Sequence, residues 1–217
     1  MTESAYLSPT RVAYDTVAVD YAAFLRDELD AKPLDRALLA TFAELVDANG
    51  TVADIGCGPG RVTAHLAGLG LDAFGVDLSP AMIEVARTSY PGLRFDIGSM
   101  TELAVDEGTL AGIVAWYSII HIPPADRSAV FARFHRAFAP GASLLMAFQI
   151  GDERVRLEHA YGHDLALDVY RVPVEATVRQ LTDAGFRVHS RHEREPEGFE
   201  KTRQAYLLVT KPPMDAD

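Results

Sequence analysis

Hydrophobic positions along the chain follow two rhythms. Short apolar runs occur at Thr51–Ile55, Leu71–Val76, Leu93–Ile97, Leu110–Trp116 and Ala142–Phe148. Between them, apolar residues recur every three or four positions. The first rhythm predicts strands and the second helices. The helices run from the glycines after Ile55 to about Gly68, from Pro80 to about Ser89, and from Ala125 to Phe138, where Val130, Phe131, Phe134 and Phe138 form one stripe. Ser79 suits an N-cap, with Pro80 at the first helical position. Pro91-Gly92, Pro123-Pro124 and Pro140-Gly141 punctuate the pattern. Ahead of the first strand, Leu25, Leu29, Leu34, Leu38, Leu39, Phe42, Leu45 and Val46 predict two or three helices within Arg11–Asn49, broken at Pro33 and ending near Asn49-Gly50. Pro173–Ala184 predicts a helix stopped by Gly185. Phe186–Arg194 and Gln204–Thr210 follow as an antiparallel strand pair. Gln149–Val172 is the least regular part.

Strands alternating with helices predict an α/β fold, a parallel sheet covered by helices on both faces. A chain of 217 residues is expected to form a single domain. Its parts are a helical lid (about 1–49), a ligand-binding core (50–148), an insertion on the substrate side (149–172), a helix and strand pair (173–210) and a frayed tail (211–217). Composition narrows the partners. The formal charge of −11 disfavours nucleic acid and anionic membranes. The one cysteine, Cys57, allows no intrachain disulfide and suggests a reducing compartment. Met1–Pro9 lacks the features of a signal peptide, and no run reaches the roughly 18 apolar residues of a membrane span. The expected location is the cytoplasm, with no membrane partner. Monomer and homodimer both stay open.

The chemistry centres on Val52-Ala-Asp-Ile-Gly-Cys-Gly-Pro-Gly-Arg61, a strand, a glycine turn and a helix N-terminus. Two ligand classes compete for such a turn. Dinucleotides put a pyrophosphate on the helix N-terminus. Here Asp54 precedes the first glycine, and an anion there would repel a pyrophosphate but suit an ammonium group. The ligand is therefore expected to carry an amino acid and a nucleoside. Asp77, at the end of the second strand, is placed to accept hydrogen bonds from both ribose hydroxyls, or else is a helix-terminal acid. Asp96-Ile-Gly-Ser-Met100 follows the third strand, where an adenine edge would lie. The backbone at Gly98 and the Ser99 hydroxyl would read that edge, with Leu78 and Met100 on its faces.

Four stretches, Val52–Gly60, Gly75–Ile83, Ala115–Ile122 and Phe138–Ala142, together resemble the motifs of class I S-adenosylmethionine-dependent methyltransferases. The segment Tyr14-Asp-Thr-Val-Ala-Val-Asp-Tyr21 resembles that family's N-terminal signature. The resemblance implies a Rossmann-like, seven-stranded, mostly parallel sheet with an antiparallel last strand and an N-terminal helical lid. It implies that S-adenosylmethionine is bound with Gly56, Gly58 and Gly60 around the methionine part and Asp77 on the ribose. Tyr14 and Tyr21 would cover the cofactor; the plainer reading is two half-buried aromatics. Met82 joins the cofactor set. Ser99 stands where many relatives carry an acid. Arg61 stands where many carry a small or apolar residue, and either binds the methionine carboxylate or is solvated.

Methyl transfer needs alignment first and a base second. His121, beyond the fourth strand, is the candidate base, with Tyr14 the alternative; the other reading of His121 is structural. Trp116 and Tyr117 either line the transfer channel or, for Trp116, pack the core. Gln149, Arg154, His163 and Arg171, with Tyr117 and His121, are the candidate acceptor-binding residues; Arg156 is a further candidate. His159 and His163 have metal-ligand spacing for a helix, but without a third ligand no metal is expected. The expected reaction is methyl transfer to an oxygen or nitrogen, less readily a carbon, of a small-molecule acceptor, releasing S-adenosylhomocysteine. The alternatives are a cofactor-binding protein of this fold with another activity (a cyclase or decarboxylase), a cofactor sensor, or a nicotinamide-dependent dehydrogenase.

Overall fold

The computed structural model describes residues 4–47 and 49–213. In chain order its elements are α1 (Leu7–Phe24), α2 (Glu28–Ala31), α3 (Pro33–Leu45), β1 (Thr51–Ile55), α4 (Arg61–Gly68), β2 (Asp72–Asp77), α5 (Pro80–Ser89), β3 (Arg94–Ile97), β4 (Leu110–Trp116), α6 (Pro124–Ala137), β5 (Phe138–Gln149), β6 (Arg154–Ala160), β7 (His163–Tyr170), α7 (Val174–Asp183), β8 (Arg187–Arg194) and β9 (Gln204–Thr210). Single 3₁₀ turns occupy Met100–Glu102 and Ile119–His121.

Seven strands form one sheet in the order β3-β2-β1-β4-β5-β9-β8. Strands β1 to β5 are parallel, and β9 runs antiparallel to both neighbours. The order reverses between β1 and β4, so a crevice opens beyond their carboxyl ends. Successive residues of each central strand serve opposite faces. Ala53, Ile55, Ile113, Ala115, Leu144 and Met146 meet Val130, Phe131 and Phe134 of α6. Val52, Val114, Leu145 and Tyr206 meet Leu38, Leu39 and Phe42 of α3 and Val62 and Leu66 of α4. Both sheet faces are thus covered by helices.

Several boundaries differ from expectation. Helix α1 begins at Leu7, and Pro33 opens α3 because a proline fits a first helical position. Helix α3 ends at Leu45, short of Asn49-Gly50, where the Asn49 N–H donates to Asp47 Oδ1 (3.0 Å). Strand β5 starts at Phe138, paired with Leu110, and its regular ladder resumes at Ser143 after Pro140-Gly141. Lys211 is not frayed: its N–H donates to Ala142 O (2.9 Å) and its Nζ to Phe138 O (2.7 Å). The rest of the expected tail is Pro212 and Pro213, with 214–217 outside the described residues.

The largest correction concerns the irregular segment after β5. It is a β-hairpin, β6 paired antiparallel with β7, with its tip at Tyr161-Gly162. Both tip residues have positive φ, 53° and 81°, which is the geometry of a two-residue hairpin turn. Val155 and Leu157 on β6, with Leu165, Leu167 and Val169 on β7, supply the alternation. The hairpin stands over the crevice. Helix α1 packs between it and α5, through a cluster of Tyr14, Val17, Ala18, Tyr21, Met82, Tyr161 and Leu165. The carboxylate of Asp15 fastens this lid. Its Oδ1 accepts from Ser79 Oγ (2.6 Å) and Ala81 N–H (3.1 Å), while Ser79 itself caps Met82.

Candidate active site

The crevice holds a cleft of about 690 Å³ of empty space, part of it open to solvent. From the turn side it is lined by Gly56 and Gly58, from β2 and α5 by Asp77, Leu78 and Met82, and after β3 by Gly98, Ser99 and Met100. The lid contributes Leu7, Thr10, Tyr14 and Tyr21; the segment after β4 contributes Trp116, Tyr117, Ser118, His121 and Ile122. Most of the expected cofactor residues are thereby brought together.

The three glycines of the turn do different things. Gly56 packs on the segment after β4: a Cβ there would fall 2.3 Å from Ser118 Cβ. Gly60, the N-cap of α4 at φ 84°, packs on Phe95, where a Cβ would lie 2.7 Å from Cζ. Gly60 does not line the cleft, which corrects its expected place around the ligand. Gly58 faces open space, with Tyr21 Cε1 3.8 Å from a notional Cβ.

Asp54 is also corrected. It is fully buried beneath the turn, where Thr63 Oγ1 donates to its Oδ2 (2.7 Å). Burial pushes its carboxyl up to about 7, partly offset by the Thr63 bond. It does not border the cleft, so an anion facing the ligand cannot be what discriminates against a pyrophosphate. Asp77 does line the cleft. Its Oδ2 accepts from Gly58 N–H (2.8 Å) and its Oδ1 from Ser79 N–H (2.8 Å). Burial raises its pKa, and those two N–H groups oppose the rise. Each oxygen keeps a second lone pair for a ligand. The Ser99 hydroxyl is already engaged with Thr101, through Oγ1 (2.8 Å) and N–H (3.2 Å).

A second chamber adjoins the cleft, enclosing about 920 Å³ and likewise part open. Its apolar walls come from Leu25, Ile120 and the hairpin residues Val155, Leu157, Leu167 and Val169. Its polar lining includes Arg61, Gln149, Arg171 and Gln204. Tyr14, Tyr21, Trp116, Tyr117 and His121 border both spaces. Tyr117 reaches that position with φ 54°, an uncommon conformation outside glycine that the structure holds at the strand end.

At this junction His121 has a fixed tautomer. Its Nδ1 lies 3.2 Å from the Asp168 carbonyl, an acceptor only, so Nδ1 carries the proton. Its Nε2 then accepts from the Tyr14 hydroxyl (2.7 Å). Burial lowers the His121 pKa to about 4, against a small opposing effect of the Asp168 carbonyl. The imidazole is therefore neutral at pH 7. Burial likewise pushes the Tyr14 hydroxyl well above its ordinary range.

Arg61 sits at the end of a buried chain of charges that adjacent residues alone do not suggest. Tyr206 Oη donates to Asp35 Oδ1 (2.7 Å) and accepts from Arg194 Nε (2.9 Å). Arg194 grips Glu200 with both Nη atoms (2.5 and 2.7 Å). Lys32 Nζ joins Glu200 (2.5 Å) to Glu28 (3.1 Å), and Glu28 holds Arg61 Nη2 (2.5 Å). Burial alone would raise the Glu200 carboxyl, but Arg194 and Lys32 outweigh it and hold it at about 2. Arg61 Nη1 is left buried with no partner among the described residues, as is Trp116 Nε1.

The remaining expectations divide. Gln149 and Arg171 line the second chamber. Arg154 and His163 do not. Arg154 is mostly exposed near Asp168, and Arg156 also pairs with Asp168 (3.1 Å). His163 Nε2 bonds Asp20 Oδ2 (2.7 Å) on the lid, while His159 Nδ1 meets Asp164 Oδ1 (3.0 Å). The two histidines lie on different strands and face different carboxylates, so their spacing is not that of a helix. Asp15, Gln204 and Glu200 were not read from the sequence; their partners lie far along the chain.

The donor set suits S-adenosylmethionine: a carboxylate at a strand end for a ribose, apolar Leu78, Met82 and Met100 beside it, and orphaned Arg61 and Trp116 N–H groups for an amino-acid carboxylate. Comparison with known proteins agrees in kind. Residues 52–141 match the family described as a methyltransferase domain. Over 107 residues the chain is 40% identical to a carboxy-S-adenosyl-L-methionine synthase of Chromohalobacter salexigens, covering 46% of this chain and 40% of that protein. It is 34% identical over 110 residues to a magnesium-protoporphyrin O-methyltransferase of Rhodobacter capsulatus, covering 45% and 48%. The chain thus spans less than half the length of these curated relatives. A solved S-adenosylmethionine-dependent methyltransferase structure from Methanosarcina mazei superposes with a TM-score of 0.71 at 18% identity, covering 80% of this chain and 97% of that one.

Proposed function

We propose, from the premise that this chain carries a methyltransferase domain within the fold of class I S-adenosylmethionine-dependent methyltransferases, that it moves a methyl group from S-adenosylmethionine to an oxygen or nitrogen of a small-molecule acceptor. The observation that carries this reading is the junction. Two adjoining spaces share five aromatic residues, so a donor in one and an acceptor in the other would meet there. When bound, S-adenosylmethionine supplies a methyl group already activated by its sulfonium.

The chain's own residues supply position and proton handling. Asp77 would take the ribose hydroxyls, Gly58 leaves room beside the turn, and Arg61 Nη1 with Trp116 Nε1 would receive the carboxylate. Tyr14 and Tyr21 of the lid exclude water from the junction. His121 Nε2 presents its lone pair through the Tyr14 hydroxyl, with Nδ1 anchored on Asp168 O. An imidazole held near a pKa of 4 is unprotonated at neutrality and a weak base. That suffices for an acceptor whose proton becomes strongly acidic as the new bond forms, such as a phenol or an amine.

A second reading keeps the cofactor and changes the chemistry. It is favoured by the 40% identity over 107 residues to a carboxy-S-adenosyl-L-methionine synthase. Mass spectrometry of turnover mixtures separates the two. Methyl transfer forms S-adenosylhomocysteine in step with an acceptor heavier by one methylene; an altered cofactor without S-adenosylhomocysteine would defeat the methyltransferase reading. Asp77→Ala is expected to abolish calorimetric binding of S-adenosylhomocysteine while the protein stays folded.

A further inference from the structure

The second chamber contains polar atoms that the fold itself leaves unsatisfied. Arg171 is only 12% exposed in its side chain, and its Nε has no hydrogen-bond partner among the described residues. Glu153 Oε1, at 3.7 Å, is too far for one. The Arg171 stem runs over Gly151, where a Cβ would fall 2.6 Å from Arg171 Cβ. The backbone fixes this seat: Val172 N–H donates to Gln149 O (2.8 Å) and Arg171 N–H to Glu153 O (2.9 Å). Burial lowers the guanidinium pKa and Glu153 only partly restores it, so the cation is under-compensated.

Beside it stands a pair of carboxamides. Gln149 and Gln204 are register partners on β5 and β9, and both line the chamber. Gln204 is 1% exposed and its orientation is fixed, because Nε2 donates to Thr202 O (2.6 Å). Its Oε1, like that of Gln149, is buried without a partner. A buried guanidinium N–H asks for an anion, and a buried carboxamide oxygen asks for an O–H or N–H. Glu28 and Glu200 line the same chamber, which disfavours a phosphate dianion. The chamber's other cations, Lys32 and Arg61, are paired with these two carboxylates, and the rest of the wall is aromatic or aliphatic apart from His121.

We infer that the acceptor is a monocarboxylic acid with an apolar body and a hydroxyl or amino group, its carboxylate held by Arg171 and its donor group received by Gln149 and Gln204. This rests on the reading of the second chamber as the acceptor side of a methyltransferase. Discrimination comes from what is left unpaired: a neutral analogue would leave Arg171 Nε with no hydrogen-bonded anion and only the more distant Glu153.

Trp116, the only tryptophan of the chain, borders both spaces, so its fluorescence reports occupancy without turnover. The probes are 4-hydroxyphenylacetate and its primary amide, titrated into the full chain alone and again with saturating S-adenosylhomocysteine. The acid is expected to bind about tenfold or more tighter than the amide. Arg171→Gln should erase that preference, Arg171→Lys should keep part of it, and neither should shift S-adenosylhomocysteine affinity. Equal binding of acid and amide, no binding of the acid at millimolar concentration, or a preference that persists in Arg171→Gln overturns the inference. An acid preference in a protein that fails to bind S-adenosylhomocysteine would instead overturn the methyltransferase reading and leave the carboxylate site standing.

Discussion

The neutral imidazole at the junction makes a measurable demand on stability. In the unfolded chain His121 takes up a proton near its ordinary value of 6.5, whereas the folded protein resists until about pH 4. The folded value is the lower of the two, so acid favours the unfolded state. The contribution of neutral His121 is fully present above pH 6.5, is lost as pH falls, and levels off below about 4. Its whole extent is about 3 kcal/mol at 1.36 kcal/mol per pH unit, of which about 2 kcal/mol is lost by pH 5. Asp54 acts in the opposite sense, since its folded value of about 7 lies above its unfolded one. Its contribution is present at acid pH and lost as pH rises through 7. Comparison with His121→Gln cancels Asp54 and leaves the imidazole. Urea unfolding followed by circular dichroism at pH 8 and pH 5 should show the parent losing about 2 kcal/mol more than the variant. Thermal unfolding should show the same as a gap of roughly 4–8 °C. Equal losses in the two proteins would refute the burial of a neutral imidazole.

Two further outcomes separate jobs that look alike in the sequence. Gly60→Ala is expected to destabilise by about 2–4 kcal/mol, from a left-handed backbone and a collision with Phe95, whereas Gly58→Ala should cost about 1–2 kcal/mol yet lose most affinity for S-adenosylhomocysteine; denaturant curves beside calorimetry read both, and matching profiles would contradict the division. Asp15→Ala should weaken S-adenosylhomocysteine binding by about tenfold while lowering stability by under about 1 kcal/mol, because an exposed carboxylate that ties α1 to α5 is removed; unchanged affinity would show that the lid does not depend on it.

The core was readable because its signals are local. The strand, glycine turn and helix at Thr51–Gly68 lie consecutively, and Ser79-Pro80 marks the start of α5 by its own chemistry. The hairpin was locally encoded too. Val155, Leu157, Leu165, Leu167 and Val169 alternate around Tyr161-Gly162, but charged and polar residues at the intervening positions make the alternation look like an irregular loop. What no window of sequence contains is the pairing across distance: Asp15 with Ser79, Tyr14 with His121, Lys32 with Glu200, Asp35 with Tyr206. Each joins the N-terminal helices to a later strand or loop, and only the fold brings them together. Asp54 shows the converse. Its position in the motif is plain, yet the strand period turns its side chain under the sheet's turn and away from the ligand.

Three glycines at alternate positions invite one explanation, but the structure divides the work. Gly56 and Gly60 let the turn approach Ser118 and Phe95, which joins β1 to the segments beside it. Gly56 and Gly58 both line the cleft, but only at Gly58 would a Cβ meet nothing closer than ordinary contact, with Tyr21 and Met82. The ligand face of the turn is therefore built largely by residues from elsewhere. Asp77 clamps Gly58 N–H from β2, and Arg61 is held from outside by Glu28, behind which stand Lys32, Glu200, Arg194, Tyr206 and Asp35. This chain of alternating charge ties α2 and α3 to the loop before β9 and ends on an arginine in the wall of the second chamber. Breaking it at Glu200 would leave Lys32 and Arg194 without their shared carboxylate inside a buried site, a cost of several kcal/mol by the rule for uncompensated buried charge. The same break would free Glu28 to move with Lys32 and loosen Arg61. The loop after β8, which lines the second chamber through Phe199 and Glu200, thereby bears on the position of the cation that would anchor the cofactor's carboxylate.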